Sequence, residues 1–68
     1  MTNYDLKKNG KILRDLRGSK TRAEVAQAVG ICISSLAMYE QGERNPRDAV
    51  KQSLANYYGK EVADIFYT

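Results

Sequence analysis

Apolar residues recur at helical spacing along almost the whole chain, and no run alternates with period two for long enough to make a convincing strand. Five helices are expected. The first runs from about Tyr4 to Arg17, with Leu6, Ile12, Leu13 and Leu16 apolar. Asn9-Gly10 interrupts its pattern, and glycine lowers helix stability relative to alanine. Residues 1–5 are therefore read as either a first helical turn or a separate flexible arm. Gly18-Ser19 ends the helix.

Thr21 is an N-cap for the second helix, and Glu24 completes a capping box with it. That helix reaches about Val29, and Gly30 suits the left-handed conformation at its end. Ile31 then turns into the core. The third helix spans about Ile33 to Gln41, with Cys32 as a weak cap and Gly42 as its stop. Asn45-Pro46 opens a fourth helix over about residues 46–58, with Asn45 as N-cap, Pro46 first in the helix and Asp48 in the first turn. Its candidate core residues are Ala49, Val50, Leu54, Tyr57 and Tyr58. After Gly59 a short last helix covers about residues 61–66, with Val62, Ile65 and Phe66 on one face.

Between Thr21 and Gln41 the pattern is that of two helices crossing at a tight turn. Ala26 is small where the helices meet, and Val25, Val29, Ile31, Leu36 and Tyr39 supply the surrounding apolar side chains. A helix–turn–helix of this kind presents its second helix to the DNA major groove. Leu36 and Tyr39, three apart, share the inward face. The outward face falls to Ile33, Ser34, Ala37, Met38 and Gln41. The first four are the candidate base-contacting residues: Ser34 could donate or accept at a base edge, while Ile33 and Ala37 could touch only thymine methyl groups. A partly exposed apolar support at the helix start is the other account of Ile33. Gln41, further along, could reach a phosphate or a base.

Composition narrows the function classes. Sixty-eight residues with 43% hydrophobic content suit one domain with one small core. No segment is apolar for long enough to span a membrane, and no signal peptide is evident. One cysteine and no histidine make a zinc site and the usual hydrolytic constellations unexpected, so neither an enzyme nor a cofactor is expected. Net charge is +3. Lys7, Lys8, Lys11, Arg14, Arg17, Lys20 and Arg22 crowd the N-terminal third, and Arg44, Arg47 and Lys51 form a second group. Such groups either attract a phosphate backbone or form solvated helix faces balanced by Asp5, Asp15, Glu24 and Glu43. Cys32, at a helix N-terminus, is either a small cap residue or a thiol open to redox control.

The stretch from Ile12 to Phe66 resembles the Cro/C1-type, or lambda-repressor-like, helix–turn–helix family. The matching residues are Leu13, Arg17, Thr21, Val25, Ala26, Gly30, Ile31, Leu36, Tyr39, Glu40, Gly42, Arg44, Asn45, Pro46, Asp64, Ile65 and Phe66. The resemblance implies an all-α, compact five-helix domain. It places Arg22, Arg44 and Asn45 at DNA phosphates, where Gln41 is also assigned from its place on the third helix, and pairs Glu40 with Arg17. It also implies a homodimer through the C-terminal end, where Tyr58, Ile65, Phe66 and Tyr67 would form the interface. The segment before Thr21 is shorter than in the common pattern, Cys32 replaces the usual Ser or Thr, and Ile33 replaces a residue that is often polar.

The expected function is a sequence-specific regulator of bacterial or phage transcription, cytoplasmic and nucleoid-associated. It would bind a palindromic double-stranded operator and repress by occupying it. Two alternatives are an antitoxin-like regulator that also binds a toxin, and a protein-interaction module that keeps the fold without specific DNA binding.

Overall fold

The computed structural model describes residues 5–67. They form α1 (Leu6–Arg17), α2 (Arg22–Val29), α3 (Ile33–Glu40), α4 (Asp48–Tyr58) and α5 (Val62–Phe66), with no strand among the described residues. Tyr4 and most of the expected arm lie outside them. Asp5 caps α1 by accepting from the Lys8 amide at 3.1 Å, so Lys7, Lys8 and Lys11 belong to an ordered helix.

Helix α1 runs unbroken through Asn9-Gly10, and packing supplies the reason. Leu6, Gly10, Leu13 and Arg17 share one face of α1. A Cβ on Gly10 would meet the backbone oxygens of Glu40 and Tyr39, the latter at 2.7 Å. Glycine thus lets the end of α3 lie directly on α1. The neighbouring Asn9 is buried and donates from Nδ2 to the Phe66 carbonyl at 3.3 Å, tying α1 to α5.

The capping box of α2 forms as its sequence requires. Thr21 Oγ1 accepts from the Glu24 amide, and Glu24 Oε1 accepts from the Thr21 amide, both at 3.1 Å. The backbone bond from Thr21, followed by its hydroxyl bond, holds the Glu24 carboxyl below the usual range. Gly30 adopts φ 86°, and the amides of Gly30 and Ile31 both donate to the Ala26 carbonyl, at 2.8 and 2.9 Å. These bonds satisfy the end of α2 and fix the angle at which α3 departs.

Helix α3 ends at Glu40, one residue before the expected Gln41, which serves as its C-cap. Helix α4 begins at Asp48 rather than Pro46, and its N-cap is Arg47, not Asn45. Pro46 is buried. Burying its ring strands no donor because proline has no amide hydrogen; the chain seats the ring first and turns helical afterwards. Glu61 stands just before α5, its amide donating to Asp64 Oδ2 at 3.3 Å.

The core joins Leu13, Val25, Ala26, Leu36, Tyr39, Leu54, Ala55, Ile65 and Phe66. Helix α3 is seated on α1 and α2, while α4 and α5 close the other side against α2 and α1. Ala49 and Tyr57, expected in the core, are exposed. Val50, Leu54 and Tyr58 do face the core, and Lys51 and Ala55 join them on the inward side of α4. Lys51, grouped above with the basic surface, is buried. Its Nζ lies 5.6 Å and 4.8 Å from the ring centroids of Phe66 and Tyr67 and donates to the Tyr67 hydroxyl at 3.1 Å. No described helix is long and apolar enough to cross a membrane.

Candidate nucleic-acid interface

Seating Leu36, Tyr39 and Glu40 inward turns the other side of α3 to solvent. Ile33, Ser34, Met38 and Gln41 are exposed there, and Ala37 is half-buried among them. Ile33 is 53% and Met38 39% exposed. All five predicted outward residues therefore lie on one continuous face, which carries no charge. The chemistry it offers a ligand is apolar contact from Ile33, Ala37 and Met38, with hydrogen bonding from Ser34 and Gln41.

The predicted ion pair is present, and the structure adds a third member. Arg17 donates to Glu40 through Nε at 2.8 Å and Nη2 at 3.1 Å, and through Nη1 to the Lys20 carbonyl at 2.8 Å. Arg22 donates from Nε to Glu40 Oε1 at 2.9 Å. The Glu40 side chain is fully out of water. Its hydrogen bond raises the Arg17 pKa further, with the Glu40 charge adding to the effect against desolvation, so Arg17 stays cationic. One carboxylate thus ties α1, α2 and α3 together. It also supplies the reason for an acid at the end of α3, where the helix dipole disfavours one.

Sequence reasoning placed Arg22 at the phosphates but missed its bond to Glu40. The two residues are distant in sequence, and only the crossing of α2 and α3 brings them together. Arg44 and Asn45 are exposed in the loop after α3, with Arg47 exposed beside α4. The loop is held close to α3: the Gln41 amide donates to the Ala37 carbonyl at 3.0 Å and the Glu43 amide to the Met38 carbonyl at 2.9 Å. Gly42, at φ 73°, lies against Lys7, where a Cβ would come within 2.8 Å of the Lys7 Cα. Cations therefore stand before and after α3, and its uncharged outward face lies between them in the chain.

The expected dimer residues are not brought together at the surface. Ile65 and Phe66 are 0% and 1% exposed and belong to the chain's own core. Half a helical face cannot both fill a small core and serve a partner, and here the core takes it. Tyr58 is half-buried, its ring edge-on to Tyr57 at 5.2 Å between centroids. Tyr67 alone of the four is well exposed, at 48%.

Comparison with known proteins agrees with this architecture. The family model described as a helix-turn-helix domain matches residues 10–65. No curated protein matches the chain. Among solved structures, the restriction-modification controller protein C.AhdI from Aeromonas hydrophila superposes with a TM-score of 0.82 at 31% identity, over 91% of this chain and 97% of that one. The matched span takes in the end of α1, the capped α2, the Gly30 turn, the outward face of α3 and the two closing helices, so the chain belongs to the helix-turn-helix domain family, in its Cro/C1 type.

Proposed function

We propose that the protein is a DNA-binding transcription regulator that recognises one double-stranded sequence and represses by occupying it. The observation that carries this reading is the solvent-facing side of α3, with Arg22 before it and Arg44 and Asn45 after it. Ile33, Ser34, Ala37 and Met38 read base edges, and Arg22, Gln41, Arg44 and Asn45 hold phosphates. The binding unit is a homodimer on a palindromic site, working in the cytoplasm on the nucleoid, and no catalysis accompanies it. The likeness to a restriction-modification controller favours control of such a system as the regulated process.

Selection from a random duplex pool tests the reading. The expected result is a two-fold-symmetric site, bound far more tightly than scrambled DNA, with affinity that falls as salt rises. Absence of any enriched sequence would reject it in favour of a protein-binding role.

A further inference from the structure

We infer that Glu40 is a positioning residue for DNA binding: it holds the Arg22 guanidinium in place as a pre-ordered phosphate ligand. The inference rests on the DNA-binding reading above and assigns Glu40 a role beyond pairing with Arg17.

The argument begins from the donors. Arg17 commits all three of its nitrogens, two groups to Glu40 and one to the Lys20 carbonyl. Arg22 commits only Nε. Among the described residues its two terminal nitrogens have no partner, and its side chain is 34% exposed while Glu40 is fully buried. The guanidinium is therefore anchored on its inner edge and open on its outer edge. Charge gives the same direction. Two guanidinium groups on one carboxylate leave a net charge of one positive unit, which an approaching phosphate would neutralise. A free arginine loses rotamer freedom when it binds; Arg22 has already been ordered by Glu40. Lysine cannot replace it, because one ammonium on a flexible stem lacks the planar fork that bonds Glu40 and phosphate from opposite edges.

The test measures affinity across salt concentrations for the full chain, its Arg22→Lys and Glu40→Gln variants and the double variant, on the selected site and on a scrambled duplex. Circular dichroism and melting confirm folding. Arg22→Lys keeps the charge, so the slope of log affinity against log salt stays close to that of the parent. Its affinity is expected to fall about tenfold on both duplexes, because phosphate contacts carry no sequence information. Glu40→Gln removes a negative charge and would strengthen attraction if only long-range electrostatics mattered; positioning requires that it weaken binding instead. In the Glu40→Gln background the further change Arg22→Lys should cost little.

Parental affinity in Arg22→Lys, or an equal cost of that change with and without Glu40, would overturn the inference. Arg22→Lys is exposed enough to fold even if Glu40→Gln does not, so its result stands alone. Weakened variants alongside a parent that shows no sequence preference would uphold the phosphate contact and reject specific operator recognition. A parent that binds no duplex at any salt would reject both.

Discussion

Gly10 behaves unlike an ordinary helix-interior glycine. Replacing such a glycine with alanine normally stabilises a helix by about 1 kcal/mol. Here the new methyl would meet backbone oxygens of α3, and backbone cannot rotate away. Gly10→Ala is expected to destabilise by about 1–3 kcal/mol, as over-packing does, read as a lower urea midpoint; an unchanged or raised midpoint would contradict the close approach. Tyr58 gives an opposite case. Its hydroxyl is buried with no partner among the described residues, and burial, with the nearby Glu40 charge, pushes its pKa up to about 12. Tyr58→Phe deletes an unsatisfied group, so stability at neutral pH should be equal or higher. In the parent, the folded phenol titrates above its ordinary value. Its contribution is complete below pH 10 and is lost between pH 10 and 12. The melting-temperature gap in favour of Tyr58→Phe should therefore widen across that alkaline range.

At the scale of helices, what was legible in the sequence was what depends on near neighbours. Thr21 with Glu24, the left-handed Gly30 and the Leu36–Tyr39 spacing all act within a few residues, and α2 and α3 form where they indicate. Pro46 was read as the start of α4, yet its ring is buried and the helix begins later, a choice made by tertiary packing. The same cause hid Lys51 among the aromatic rings, Ile65 and Phe66 in the core, and Arg22 on Glu40. The Gly10 signal was present but misread: glycine replacing an apolar residue in the Leu6–Leu13–Arg17 stripe marks a close crossing, not a break. Helix α3 shows what local chemistry still leaves open. Cys32 has capping backbone angles, φ −75° and ψ 149°, but its side chain makes no cap bond. Cys32→Ser would supply an acceptor without changing the backbone. It should stabilise the protein by about 0.5–1 kcal/mol in chemical denaturation; no gain would mean that the Cys32 backbone, though extended, does not aim its side chain at the amides of the first turn.

On the scale of the whole molecule, size and symmetry set the binding problem. The described residues extend 34 × 22 × 21 Å, and one reading helix of eight residues spans few base pairs. A specific site in a genome needs more contacts than that, and in the proposed dimer a second copy on the next turn of the same DNA face supplies them. With Ile65 and Phe66 inside the core, the contact of the proposed dimer is left to the outer side of α4 and α5, where Tyr67 is the exposed one of the four expected residues. This arrangement makes spacing a direct test. Two copies joined through their own surfaces hold their α3 helices at one fixed separation, about 34–36 Å for adjacent turns. Inserting about five base pairs between half-sites turns one half to the opposite face of the duplex, and about ten restores the face but adds a full turn of distance. Both insertions should abolish cooperative binding of two copies, and a duplex carrying one half-site should bind one copy weakly. Tyr67→Glu should reproduce the loss on the uninterrupted site while leaving half-site binding intact, because it places charge at the proposed contact and leaves α3 untouched. If both insertions bind two copies as tightly as the original, the copies act independently and the dimer is rejected; if only the five-pair insertion fails, the copies communicate through the DNA rather than through a rigid contact.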